Sequence, residues 1–205
     1  GPNTGGMGAY SPAPVVTEVI YQRIMEEVIM PTVRGMAAEG NEYTGFLYAG
    51  LMIDAEGTPK VIEYNCRFGD PETQPIMLRL RSDLVDLCLA ALDKKLATTT
   101  AEWDERKAVG IVIAAGGYPA SYDKGAVISG LMTEESDLKV FHAGTQQSDN
   151  GDILSNGGRV LCVTALGDSI GEAQQRAYQA TQKISWKDSF YRKDIGWRAI
   201  AREQG

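Results

Sequence analysis

Val61-Ile62-Glu63-Tyr64-Asn65-Cys66-Arg67-Phe68-Gly69-Asp70-Pro71-Glu72-Thr73-Gln74-Pro75 is the stretch that decides the fold. It starts as a strand, on which side chains alternate between faces with period two. Glu63, Asn65 and Arg67 therefore share one face. Ile62, Tyr64, Cys66 and Phe68 share the other, which reads as core. A carboxylate, an amide oxygen and a guanidinium in a row make a poor structural stripe but a good phosphate site. Glu and Asn oxygens suit a hard cation such as Mg²⁺, which takes few protein ligands and shares the rest of its shell with phosphates. Arg67 supplies a planar fork of donors for phosphate oxygens. Gly69-Asp70-Pro71 then turns the chain, and Pro71 suits the first turn of a helix. The plain alternative is an edge strand with solvated charges and a Glu63–Arg67 pair. The spacing Glu-x-Asn-x-Arg, followed at once by Gly-Asp-Pro-Glu, favours the site.

The chain has 205 residues, enough for one large domain or two small ones. At 43% hydrophobic and 23% charged it has an ordinary globular composition, able to bury a core. Net charge is −7, and no Lys/Arg run exists, which argues against a nucleic-acid surface. No apolar run approaches the length of a membrane span, and no signal peptide is visible. Gly1 stands where a Met would, as in a piece of a longer protein. Cys66, Cys88 and Cys162 are isolated and lack metal spacing, which points to reduced thiols and a cytoplasmic setting. His142 is the only histidine, so a His-based metal site or a Ser-His-Asp triad with another His is excluded within this chain.

The N-terminal residues, Gly1 to Pro12, are glycine-dense. They contain neither Gly-Lys-Ser/Thr nor Gly-x-Gly-x-x-Gly, and composition admits a flexible entry loop or a ligand loop equally. Thr17 to Gly40 reads as a helix capped by Thr17, ended by Gly40, and kinked or split at Pro31. Gly45 to Asp54 and Lys60 to Phe68 form an antiparallel hairpin around Ala55–Pro59. Pro71 to Leu80 and Ser82 to Leu96 are helices, the second burying Leu84, Leu87, Cys88 and Leu92. Ala97 to Ala101 is a polar, β-branched break and divides the chain into residues 1–97 and 98–205. Beyond it lie a buried strand from Ala108 to Ala115 and shorter strands at Val140–Ala143 and Asp152–Leu154. Asn156-Gly157-Gly158 predicts a hairpin turn before the strand Arg159–Ala165, with Arg159 as a phosphate ligand the competing reading. Ser169 to Ile184 is a helix opened by a Ser169/Glu172 capping box. Lys193 to Arg202 ends the chain with Trp197 packed inward.

Glu63-x-Asn65-x-Arg67 resembles the metal-and-phosphate strand of ATP-grasp ligases. Arg67 to Gln74 resembles the signature of the phosphoribosylamine–glycine ligase family, and the resemblance runs from Gly1 to Gly205. It implies an α+β fold: the C-terminal part of an ATP-grasp domain over residues 1–97, then a small β-rich domain. Such chains are about twice this long, so the resemblance makes this the C-terminal half, inactive without the missing N-terminal half. It implies ATP-dependent joining of glycine to 5-phosphoribosylamine through a glycyl phosphate, in purine biosynthesis. Glu63 and Asn65 would hold Mg²⁺ or Mn²⁺, and Arg67 would stabilise the transferring phosphoryl group. Asp70 and Glu72 would position an amine or ribose hydroxyls. The glycine loop would border the substrate cleft through Asn3, Thr4, Gly5 and Gly6, with Arg159 as a further substrate contact. Many ATP-grasp enzymes carry another acidic metal ligand on the first hairpin strand, but Tyr48 to Met52 is uncharged here. Rival readings are another carboxylate–amine ligase of the superfamily, or a non-catalytic interaction fragment that keeps the fold.

Overall fold

The computed structural model describes residues 2–131 and 135–204. Gly1, at the head of the glycine-dense loop, and Gly205, at the end of the resemblance, lie outside the described residues. In chain order the elements begin with β1 (Gly8–Ser11), α1 (Glu18–Ile24), α2 (Met30–Ala38), β2 (Tyr48–Ile53) and β3 (Pro59–Asn65). They continue with α3 (Thr73–Arg79), α4 (Leu84–Leu92), β4 (Lys107–Ala114), β5 (Leu138–His142) and β6 (Thr145–Gln147). The last are β7 (Ile153–Ser155), β8 (Arg159–Gly167), α5 (Ile170–Thr181) and α6 (Trp197–Glu203), an α+β arrangement. The chain divides into two compact units. One comprises Gly1–Pro12, Asp70–Arg79 and Asp104–Gly205, the other Ala13–Gly69 and Leu80–Trp103. A single cut at residue 97 does not describe this division, and the reason lies in how the first unit buries its sheet.

That sheet has the order β1-β4-β8-β5, antiparallel throughout. From Ala108 in β4 and from Val160 in β8, every residue is buried. A strand pair buried on both faces must be covered on both. On one face, Val109, Ile111, Ile113, Leu161, Val163 and Ala165 pack with Ile170, Ala173, Ala177 and Ala180 of α5. The other face carries Met7, Val112, Ala114 and Cys162. There α3 approaches closely: a Cβ on Gly110 would lie 3.3 Å from Pro75 Cγ. Arg79 ties the end of α3 down, its Nη1 donating to Ser11 Oγ (2.9 Å), Nε to Arg106 O (2.8 Å) and Nη2 to Asp104 O (2.9 Å). Residues 70–79 therefore belong to this unit, and so do residues 8–11. The latter are not loop, as the glycine content predicts, but an edge strand paired with β4 from Gly8↔Ile111 to Ser11↔Ala108.

Three expectations change in this unit. Asn156-Gly157-Gly158 does not turn a hairpin into β8: β7 pairs with β6, because both edges of β8 are already taken by β4 and β5. Trp197 is not packed inward. It is 55% exposed with the Arg198 guanidinium 5.2 Å from its ring centre, and Ala199 is the residue of α6 that is buried. Ser169 does cap α5, accepting from Glu172 N (3.1 Å), but Glu172 Oε2 accepts from Asp168 N (2.8 Å) one residue before the cap.

In the second unit, Thr17 caps α1 through the Ile20 N–H (3.4 Å), as predicted. The helical run continues past Pro31 without a break in the chain of helical residues. A π-turn at Met25–Ile29 precedes the proline, and the wider i→i+5 spacing accommodates a ring that would crowd the carbonyl four residues back. Ile20, Ile24 and Val28 form the inward stripe, with Val28 5% exposed. β2 and β3 pair antiparallel, with Gly50↔Glu63 followed by Leu51↔Val61, so Ile62 bulges. The face predicted as core is not core: Ile62 is 64% exposed, and Tyr64 and Cys66 are exposed as well. Two strands offer too little area to bury a face, and the Tyr64 hydroxyl reaches across to a helix, at Thr32 Oγ1 (2.8 Å). Phe68 finds a partner in Phe46, ring centres 4.1 Å apart. Asp83 caps α4, which runs from Leu84 to Leu92 rather than from Ser82 to Leu96, and Leu92 is exposed while Leu84, Leu87 and Cys88 are half-buried. No helix among the described residues is long and apolar enough to cross a membrane.

Leu161 is 1% exposed at the centre of the two-faced sheet. Leu161→Ala is expected to cost about 2–5 kcal/mol of stability, through lost burial and the cavity left behind. Urea unfolding at equilibrium measures it, and a loss below about 1 kcal/mol would contradict this packing.

Candidate functional site

The predicted site residues fall into two groups, one in each unit. In the second unit, Glu63 and Asn65 lie on β3 opposite Gly50 and Tyr48. The side chain of Glu63 crosses Gly50: a Cβ there would meet Glu63 Cγ at 3.0 Å. Glu63 is exposed, and its carboxylate has no hydrogen bond or ion pair among the described residues. Arg67 lies just past the strand and folds back on it, Nη2 donating to Asn65 Oδ1 (3.3 Å) and Nη1 to Phe68 O (2.8 Å). The structure thus joins Asn65 to Arg67, not Glu63 to Arg67 as the plain alternative requires. Asn65 Nδ2 is buried without a partner among the described residues. The Asn65 N–H group lacks an acceptor, which a phosphate oxygen would supply, and the exposed Glu63 carboxylate is open to a cation. No three His, Cys, Asp or Glu residues among those described come together as a metal cluster. Two oxygens are what this strand offers a hard cation, which suits Mg²⁺ sharing its shell with phosphates.

In the first unit, Gly5, Gly6, Asp70, Pro71 and Arg159 converge. Arg159 opens β8, and its guanidinium binds Asp70 Oδ2 (Nη2, 2.6 Å), Asp70 O (Nη1, 3.2 Å) and Gly6 O (Nη1, 3.0 Å). It does not flank a hairpin turn, and in this structure its guanidinium is engaged by Asp70 and Gly6. Gly6 lies flat on Pro71, leaving no room for a side chain, and a Cβ on Gly5 would sit 3.0 Å from Arg159 Cζ. Asn3 and Thr4 are exposed and have no hydrogen bonds among the described residues. Glu72 is half-buried in the turn before α3, and its carbonyl accepts from Ile76 N (3.2 Å). Gln74 Oε1 on α3 is buried without a partner among the described residues. Sequence reasoning missed Tyr118, whose hydroxyl accepts from Gly5 N (3.1 Å) across 113 residues. No local pattern signals such a contact.

Two family models match this chain. The ATP-grasp (A) domain of phosphoribosylglycinamide synthetase matches residues 1–73, and the C domain of the same enzyme matches residues 108–198. Over all 205 residues the chain is 73% identical to phosphoribosylamine–glycine ligase of Vibrio parahaemolyticus and 68% identical to that of Escherichia coli K12. It covers 48% of each of those proteins, so it spans about half the length of the relatives it matches. A crystal structure of phosphoribosylamine–glycine ligase from Thermotoga maritima matches with a TM-score of 0.83 at 36% identity, over 95% of this chain and 47% of that one. Fold and site strand together define an ATP-grasp chain. Within that class it belongs to the phosphoribosylamine–glycine ligase family.

The three thiols differ sharply in surroundings. Burial, opposed only in part by a hydrogen bond from Thr164, pushes the Cys162 thiol up to about 12. Cys66, beside Asn65 and Arg67, is exposed. Thiolate is the nucleophile, and a thiol at about 12 has roughly 10⁻⁴ thiolate at pH 8. Iodoacetamide at pH 8 is therefore expected to label Cys66 in the native protein and to leave Cys162 unmodified until the sheet unfolds. Peptide mass mapping reads this, and native labelling at Cys162 would contradict the buried position.

Proposed function

We propose that this chain is part of an ATP-dependent ligase that joins glycine to 5-phosphoribosylamine, a step of purine biosynthesis. The observation that carries the reading is the uncompensated Glu63 carboxylate one strand repeat from the Asn65–Arg67 pair. It is supported by family membership along the whole chain. In the reaction the γ-phosphoryl group of ATP passes to a carboxylate oxygen of glycine, and ADP leaves. The amine nitrogen of phosphoribosylamine then attacks the carbonyl carbon of glycyl phosphate. The C–O bond to phosphate breaks, the amine loses a proton, and glycinamide ribonucleotide and phosphate are released.

The cation, Mg²⁺ or Mn²⁺, supplies charge neutralisation on the ATP phosphates when bound. Glu63 would hold it through its free carboxylate and Asn65 through the amide oxygen that Arg67 holds in this structure. Arg67 keeps N–H donors beyond the two bonds it makes, and would direct them at the transferring phosphoryl group, where fixed positive charge lowers the barrier. Asp70 would orient the amine or the ribose hydroxyls, with Glu72 beside it. Arg159 then acts on the substrate through Asp70 and Gly6, by fixing where both stand. Asn3 and Thr4, which have free side chains among the described residues, would face the substrate. Three free thiols fit a reducing, cytoplasmic setting.

Three substitutions in the full-length enzyme test the reading. Glu63→Ala is expected to raise the Mg²⁺ concentration needed for half-maximal rate and to lower turnover, because the strand loses its only free carboxylate. Asn65→Ala acts the same way, less strongly. Arg67→Lys keeps the charge and loses the fork, and kcat should fall roughly 10²–10³-fold while the KM for glycine changes less. Mg²⁺ titrations that superimpose on the parent would remove Glu63 and Asn65 from the metal site. A folded Arg67→Lys enzyme with kcat within about threefold of the parent, under 1 kcal/mol of barrier, would remove Arg67 from the mechanism.

A further inference from the structure

We infer that Tyr118 is a positioning residue for the amine substrate: its hydroxyl sets the path of the loop Asn3–Gly6. The inference rests on the ligase reading above. Gly5 N donates to Tyr118 Oη at 3.1 Å. A Cβ on Gly5 would lie 3.0 Å from that same oxygen and 3.0 Å from Arg159 Cζ, so the loop passes between a phenol and a guanidinium with no room to spare. One residue on, Gly6 O accepts from Arg159.

Tyr118 is itself held rigidly. Its ring lies directly on Gly158, where no side chain fits, and it packs on the cluster of Met7, Val112, Ala114 and Cys162. Tyr122 stacks obliquely at 6.4 Å. A ring fixed on a buried sheet face, with a single oxygen aimed at the loop backbone, transmits the position of the sheet to the loop. Arg159 does the same for Asp70. The residues assigned to the amine substrate, Asn3 to Gly6 and Asp70, are thus anchored in one compact unit by Tyr118 and Arg159. Glu63, Asn65 and Arg67, assigned to metal and phosphoryl transfer, belong to the other unit. Loosening Tyr118 should therefore move the binding constant of the amine and leave the metal-nucleotide constants alone.

The test is steady-state kinetics with a melting curve on the full-length enzyme. Tyr118→Phe removes the hydroxyl and keeps the ring. It is expected to raise the KM for 5-phosphoribosylamine roughly three- to tenfold, the range that one lost neutral hydrogen bond spans. The KM for ATP and the half-saturating Mg²⁺ concentration should stay at the parent values, with the melting midpoint within about 2 °C of the parent. Gly5→Ala, which drives a methyl between the phenol and the guanidinium, should move the same constant in the same direction. If the parent makes glycinamide ribonucleotide and Tyr118→Phe leaves the amine KM unchanged, the role of Tyr118 is overturned and the reaction stands. A lowered melting midpoint with kcat and all KM values falling or rising together makes Tyr118 a packing residue and overturns it as well. A parent enzyme that makes no glycinamide ribonucleotide overturns both the positioning role and the reading on which it rests.

Discussion

Burial of β4 and β8 on both faces is the constraint from which the first unit follows. A single helix covers one face of a sheet, and α5 does so. The opposite face would otherwise expose Val112, Ala114 and Cys162, at several tens of calories per Å² of apolar surface. The chain meets this by laying Met7 and α3 there. Small residues make the close approach possible, since Gly110 offers no Cβ to Pro75. Because α3 is anchored, the turn before it is anchored too, and Asp70, Pro71 and Glu72 take their places as a consequence of core packing.

Packing and chemistry are joined at that turn. Pro71 fills the space over Gly6, and Asp70 meets the guanidinium of Arg159 at the head of β8. Arg159 is 23% exposed and makes three hydrogen bonds, two of them to backbone oxygens. In such a setting the value of the arginine lies in geometry. A planar fork holds a carboxylate and a carbonyl at fixed angles, which a lysine cannot do. The ion pair is partly solvated, so its contribution to stability is small beside its effect on where Asp70 and Gly6 stand.

The other group of site residues follows a different rule. Glu63 and Asn65 owe their common face to the pleat of β3 alone, and Gly50 opposite leaves Glu63 room to lie across the partner strand. Arg67 departs from the strand and returns to Asn65 through its own side chain. The bulge at Ile62 comes before Glu63 and so leaves the alternation from Glu63 to Asn65 intact. The unmet buried amide of Asn65 is a costly feature that core packing does not require, and it stands beside an exposed carboxylate that no ion pair occupies among the described residues.

The sequence by itself determined what depends on neighbours along the chain. The β2–β3 hairpin, the shared face of Glu63 and Asn65, the buried strands at Ala108 and Arg159, and the Ser169 cap all follow from period, turn residues and side-chain chemistry within a few positions. Periodicity also marks which side of an element is apolar, but not whether anything covers it. That is why Ile62, Leu92 and Trp197 read as core and stand exposed. Only the tertiary structure decided which segments share a unit, since β1 and α3 are drawn in by a sheet formed some hundred residues later. It likewise decided that Arg159 meets Asp70 and Tyr118 meets Gly5, 89 and 113 residues apart. Contacts at that separation leave no local signature, because the energy that selects them is the burial of two sheet faces, a property of the assembled unit.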